Sequence, residues 1–134
     1  MPGDTNNTND IFVHDRQMGT TERVSVSSGG AQGNDFSFSP SISAGGRFVA
    51  FVSPASNLVP GDTNNTIDVF VHDRQMGKTR RVSVSSGGAQ GNSYSFEPAI
   101  SADGRFVAFT SDASNLVPGD TNGVWDVFVR TLVP

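Results

Sequence analysis

Pro98-Ala99-Ile100-Ser101-Ala102-Asp103-Gly104-Arg105-Phe106-Val107-Ala108-Phe109 is the stretch on which the fold turns. Asp103-Gly104 stands between two apolar runs, and both residue types tolerate the positive φ of a tight hairpin. The turn predicts two antiparallel strands, Phe96–Ser101 before it and Arg105–Ser111 after it. Pro98 has no N–H to give to a ladder, so the first belongs at a strand start or with its N–H side free. Phe106, Val107, Ala108 and Phe109 put apolar side chains on both faces of the second strand, which should be buried on both sides.

Downstream, Asp112–Gly123 is a polar loop anchored by Leu116-Val117, and Asp126–Arg130 (DVFVR) is a third strand. The fourth is clearest one repeat earlier, where His14-Asp15-Arg16-Gln17-Met18-Gly19 turns the chain. Glu22–Ser28 then alternates, with Val24 and Val26 on one face, and Gly29–Asn34 leads into the next unit. No window keeps a helical period, and the Gly, Ser and β-branched residues weigh against one. The unit reads as four short antiparallel strands.

That unit is written twice. Pro2–Val59 and Pro60–Val117 align without gaps and differ at eleven positions, from Asn9/Ile67 to Pro54/Asp112. A third copy begins at Pro118 and runs for seventeen residues to Pro134. A unit repeated at fixed period buries its apolar faces against its neighbours rather than folding alone. Counting strands gives the third and fourth of one unit, all four of the next, and the first three of another. The expected division is therefore residues 1–28, 29–86 and 87–134.

Composition agrees with short strands and tight polar loops: 16% of the 134 residues are charged, 35% are apolar and fifteen are Gly. A net charge of −4 argues against a nucleic-acid partner, which would want clustered Lys and Arg. With no cysteine there is no disulfide framework, thiol nucleophile or zinc–thiolate site. The apolar runs span only a few residues, so no membrane-crossing helix is expected. Met1-Pro2-Gly3-Asp4 opens directly into the repeat, which places any export signal outside this sequence.

Pro98–Phe109, followed by Asp126-Val127-Phe128-Val129, resembles the blade signature of TolB-type β-propellers. In that family a P-x-hydrophobic-S-x-D-G hairpin leads into the second strand and an acidic residue opens the third. Pro40-Ser41-Ile42-Ser43-Ala44-Gly45-Gly46-Arg47-Phe48 matches with Gly45 in place of the turn aspartate. The resemblance implies an all-β chain of propeller blades, each of four antiparallel strands, and a periplasmic or extracellular bacterial setting. It specifies a fold and not a function, because propellers host enzymes, binders and scaffolds alike.

Nine strands amount to about two and a quarter blades, whereas propellers close with roughly four to eight. Left open, the outer sheet faces would expose Phe and Val as an aggregation hazard. Either several chains pool their blades, or the sequence is part of a longer propeller. In the pooled arrangement the last sheet receives its outer strand, Glu22–Ser28, from a neighbour, which closes a heterologous ring. A homotrimer would hold about six blades and a homotetramer about eight. Arg23, Val24 and Val26 would be the donated residues, and Phe106, Phe109, Val127 and Val129 the receiving ones. Asp10–His14 and Asp126–Arg130 then compete for one third-strand position per junction, so one is displaced. The ten Phe are expected in the core between blades.

The most site-like motif is Asp-Thr-Asn-x-x-x-Asp, present as Asp4/Asn6/Asp10, Asp62/Asn64/Asp68 and Asp120/Asn122/Asp126. Oxygen ligands at positions one, three and seven resemble the start of a calcium loop. The fifth position is Thr8, Thr66 or Val124, and no glutamate supplies a bidentate ligand at twelve. The alternative is structural: Asx-turns in the loop, with the strand-opening aspartate bonding backbone of its own blade. His14 and His72 end the third strands as lone polar residues where the third copy has Arg130. No G-x-S-x-G marks a serine nucleophile. Gly29–Asn34 and Gly87–Asn92 lack the Lys-Ser/Thr and helix of a phosphate loop. Asn6-Asn7-Thr8 and Asn64-Asn65-Thr66 fit the glycosylation sequon, although repeated turn residues explain them equally. Trp125 would pack against the next blade, or stack on a sugar or partner if exposed.

The polar differences between copies (Glu22/Arg80, Ser39/Glu97, Gly45/Asp103, Pro54/Asp112) read as surface drift rather than an installed catalytic cluster. The expected function is non-enzymatic: a self-assembling propeller module serving as scaffold or binding surface. The alternatives are an excised or engineered fragment of a larger secreted bacterial propeller, and a carbohydrate- or peptide-binding propeller.

Overall fold

The computed structural model describes residues 7–60, 66–119 and 124–132. They form nine strands: β1 (Phe12–Asp15), β2 (Thr20–Arg23), β3 (Phe38–Ile42), β4 (Phe48–Ser53), β5 (Asp68–Asp73), β6 (Lys78–Arg81), β7 (Ser95–Ile100), β8 (Phe106–Ser111) and β9 (Asp126–Thr131). These make three antiparallel sheets of two, four and three strands, each ordered as in the sequence: β1-β2, β3-β4-β5-β6 and β7-β8-β9. The described residues contain no helix. The described residues are all-β, in antiparallel sheets whose strands follow one another in sequence order.

The hairpin residues act as expected. Gly46 and Gly104 both hold positive φ, 77° and 76°, where a side chain would be strained. Ser43 and Ser101 brace the two turns, each hydroxyl accepting the backbone N–H of the following Phe48 or Phe106 at 3.1 Å. In the second copy Asp103 also accepts from the Ser101 hydroxyl (2.7 Å) and from the Arg105 N–H (3.0 Å), which lowers its carboxyl pKa below the ordinary range. Pro40 and Pro98 sit where the register of the innermost strand slips, between Phe38 and Ser41 and between Phe96 and Ala99. Ser39 and Glu97 take φ of 56° there, so each strand carries a bulge where proline removes no ladder bond.

The fourth strands differ from expectation. The alternation predicts a strand over Glu22–Ser28, but pairing ends at Arg23 in β2 and at Arg81 in β6. The reason is a serine. The Ser25 hydroxyl accepts the Ile11 N–H at 3.1 Å, and the Ser83 hydroxyl accepts the Val69 N–H at 3.1 Å. Each replaces a carbonyl in the ladder and lets the chain peel away toward the Gly-rich loop. Val26 and Val84 then pair with Gln32 and Gln90 in a second, smaller turn.

Two cores separate the three sheets. Ile11 and Val24 of the first meet Val49, Phe51 and Phe70 of the second. Ala50, Val52, Val69 and Val71 on the opposite face meet Val107 and Phe109 of the third. β4 is therefore buried on both faces, as its continuous apolar run requires. β8 is not: Val107 and Phe109 are buried while Phe106 is exposed, because the third sheet has a neighbour on one face only. The ten Phe divide the same way. Phe51, Phe70 and Phe109 are core, whereas Phe12, Phe36 and Phe106 are among the exposed large side chains.

Candidate functional site

At the head of the third strand in the first two sheets an aspartate turns inward. Asp68 is fully buried; it accepts from the Ser83 hydroxyl at 2.9 Å and faces the Arg81 guanidinium, Nε to Oδ2, at 3.7 Å. Asp10 repeats this with Ser25 at 2.9 Å and Arg23 at 3.7 Å. The last residue of the fourth strand supplies the arginine and the segment just past it the serine, so the aspartate ties the two strands at the point where the ladder ends. Asp126 holds the same repeat position in the third copy. Asp4, Asn6, Asp62, Asn64, Asp120 and Asn122, the rest of the candidate calcium ligands, lie outside the described residues. Among the described residues no three carboxylates or histidines gather as a metal site.

The two histidines have a structural role. His72 Nδ1 lies 2.7 Å from the Thr79 hydroxyl, which donates to the Val26 carbonyl at 2.5 Å. With the threonine proton committed, His72 Nδ1 must be the donor. Burial pushes its pKa down and keeps it neutral, against a smaller opposing pull from Glu22 and Asp73. Ser28 completes the lock, its hydroxyl accepting the Thr79 N–H at 3.0 Å. The fourth strand of the second sheet is thereby keyed into the loop that leaves the first. His14 and Thr21 meet at the same 2.7 Å but on the surface.

The third sheet has the lock without the key. A cavity of about 330 Å³ is lined by Val84, Ser86, Leu116, Phe128 and Arg130, among others. One repeat earlier the same positions are Val26, Ser28, Leu58, Phe70 and His72, of which Val26, Ser28 and His72 hydrogen-bond Thr79. Arg130 donates to the Ser85 carbonyl at 3.0 Å. Beside the cavity, Val127 and Val129 are 74% and 65% exposed, whereas their counterparts Val69 and Val71 are 0% and 2% exposed. Of the other residues expected to mediate assembly, Val24 and Phe109 are buried inside the chain, Arg23 is bound to Asp10, Val26 is half-buried and Phe106 is exposed.

A row of aromatic rings is the feature that residue patterns missed. Phe36 and Phe38 lie 5.4 Å apart, Phe38 and Phe96 6.4 Å, and Phe96 contacts both Tyr94 (6.1 Å) and Trp125 (5.7 Å). The row crosses from the second sheet to the third, with Phe36, Tyr94 and Trp125 exposed. Trp125 rests on Phe96 of its own sheet. The signal was the repeated F/Y-S-F step at Phe36–Phe38 and Tyr94–Phe96, which aims alternate rings to one side of the innermost strand.

Comparison with protein-family models gives no match, and comparison with curated proteins gives none either. Among solved structures the chain is similar to TolB from Acinetobacter baumannii, with a TM-score of 0.49 and 18% identity over 92% of this chain and 26% of that one. It is also similar to a putative TolB from Agrobacterium tumefaciens, with a TM-score of 0.48 and 15% identity over 93% of this chain and 51% of that one. The chain therefore spans about a quarter and about half of those two proteins.

Proposed function

We propose that the chain is a non-enzymatic propeller module that builds a closed ring from copies of itself and serves as a scaffold or binding surface. The observation that carries this reading is the difference between equivalent valines. Val127 and Val129 stand open, while Val69 and Val71, in the same sequence context, are buried by the next sheet. A face that is core in one repeat and open in the next is complementary to the repeat itself. Three copies would give about six blades and four about eight. The native mass tests the proposal: a particle of three or four chains supports it, and a species of one chain, 14.1 kDa, sinks it.

The aromatic row favours a second reading, carbohydrate binding. Exposed rings at near-stacking distance offer apolar faces to sugar C–H groups, and Glu97 beside Phe96 offers an acceptor for hydroxyls. A glycan panel tests it: binding that disappears with Trp125→Ala supports this reading, and no binding leaves the scaffold role alone.

A further inference from the structure

We propose that in the assembled particle β9 of one copy takes the place that β1 occupies in the next. The neighbour's β2 then becomes the fourth strand of the β7-β8-β9 sheet. This rests on the ring reading above and names the strand that gives way.

The second repeat is the template. There β6 lies on β5 with Phe70 opposite Arg81 and His72 opposite Thr79. Moved by one repeat, the same register sets Phe128 opposite Arg23 of a second copy and Arg130 opposite its Thr21. Thr21 would enter the cavity between Val84, Ser86 and Arg130, as Thr79 enters between Val26 and Ser28. Charge matches as well. Arg23 and Ser25 now hold Asp10; in the exchange they hold Asp126, the same residue type at the same repeat position, so the ion pair is transferred and not lost.

Apolar packing follows the same substitution. Ile11 and Val13 lie against the cluster of Val49, Phe51 and Phe70. Val127 and Val129 stand at their positions in the third copy, and entering this cluster would bury both.

β1 is the strand to yield because it is the more weakly held. It pairs over four residues with β2 alone and alternates exposed and half-buried along its length, with Ile11 just before it as its anchor. β9 pairs over six residues with β8. Phe128 stacks on Phe109 at 5.8 Å, and the buried Leu132 donates its N–H to the Arg105 carbonyl at 2.6 Å. Removing β9 would open a core; removing β1 exchanges Ile11 and Val13 for two valines that arrive with a whole sheet behind them.

The chain has no cysteine, so introduced pairs report alone. Thr21→Cys combined with Arg130→Cys copies the contact made by His72 and Thr79. On mild oxidation it should give a covalent ladder ending at the particle's copy number. Glu22→Cys with Val129→Cys, the adjacent opposed pair, should give the same ladder and guards against misfolding of the first variant. Thr21→Cys with His14→Cys should keep its thiols free. A disulfide closed within the chain by that third pair, with no ladder from the other two and a native mass still of several chains, overturns the exchange and leaves the ring standing. A native mass of one chain overturns both.

Discussion

Phe48 of the second sheet lies directly against Gly104 in the turn of the third: a Cβ built on Gly104 would come 2.2 Å from Phe48 Cδ2. Gly104 also holds φ of +76°, so the residue is fixed twice, by backbone and by contact. Gly104→Ala should destabilise the chain by about 2–5 kcal/mol, from about 1–2 of left-handed strain and about 1–3 of overpacking. Gly88, at φ +89° with no heavy atom within 4 Å of its would-be Cβ, isolates the first effect. Gly88→Ala should cost only about 1–2 kcal/mol. Urea midpoints of the two variants compare them directly; equal losses would mean that Phe48 does not seal the junction.

Val71 and Val129 occupy equivalent positions with opposite surroundings, one 2% and the other 65% exposed. Val71→Asp buries an unpaired charge and should cost about 4 kcal/mol or more. Val129→Asp should leave the stability of the single chain within about 0.5 kcal/mol yet abolish the multi-chain particle. Thermal unfolding at low concentration reads the first effect and light scattering the second. Survival of the particle with Val129→Asp would show that this face is not the contact.

Asp68 and Arg81 are both nearly inaccessible, with side chains 0% and 8% exposed. Asp68→Ala leaves the guanidinium without its carboxylate in the core and should destabilise by about 3–5 kcal/mol. Ser83→Ala removes the acceptor of the Val69 N–H and the donor to Asp68, and should cost about 1–3 kcal/mol. A double variant less destabilised than the sum would confirm that Asp68 and Ser83 act together.

The same arrangement sets an expectation for calcium. Asp10 and Asp68 have arginine Nε atoms 3.7 Å from one carboxylate oxygen and serine hydroxyls on the other. A cation would have to displace a guanidinium to reach them. Millimolar calcium, compared with chelator, should leave the melting temperature unchanged; a rise would return these loops to the metal-binding reading.

Strand order was legible because it depends on local signals. Asp103-Gly104 fixes a hairpin whatever surrounds it, and the repeat multiplies every local inference. What escaped depended on neighbours. Phe106 and Phe48 are the same residue in the same motif, yet Phe106 is exposed while Phe48 packs on a core, because only one of them has a following sheet. The end of the fourth strand was misplaced because alternation at Val24 and Val26 is compatible with a strand, and the Ser25 hydroxyl that replaces the ladder carbonyl leaves no periodic trace. The aspartates that resemble calcium ligands were legible as a motif. Their partners, Ser83 and Arg81, are separated from Asp68 by a hairpin and become visible only when third and fourth strands pair.

His72 gives the fold a pH dependence whose sign is set by burial. Desolvation holds its pKa below the ordinary 6.5, with Glu22 and Asp73 opposing and Arg74 reinforcing that shift. Between the depressed folded value and the unfolded value near 6.5, the unfolded chain binds a proton that the folded chain refuses. Stability is therefore fully present above about pH 6.5 and falls as pH drops through that window. Asp73 acts lower. Its carboxyl, held below the usual 3.8 chiefly by the Arg47 guanidinium, contributes stability that is lost only as acid titrates the carboxylates. Urea midpoints at pH 7.5 and 5.5 separate the two, since the second group does not titrate in that interval. The midpoint should fall between those pH values for the natural sequence, and His72→Gln, which keeps a donor toward Thr79, should flatten the fall. An unchanged slope in the variant would mean that His72 takes its proton as readily in the folded chain as in the unfolded one, and that the fall comes from another group; because Nδ1 already donates to Thr79, charging at Nε2 leaves that hydrogen bond in place.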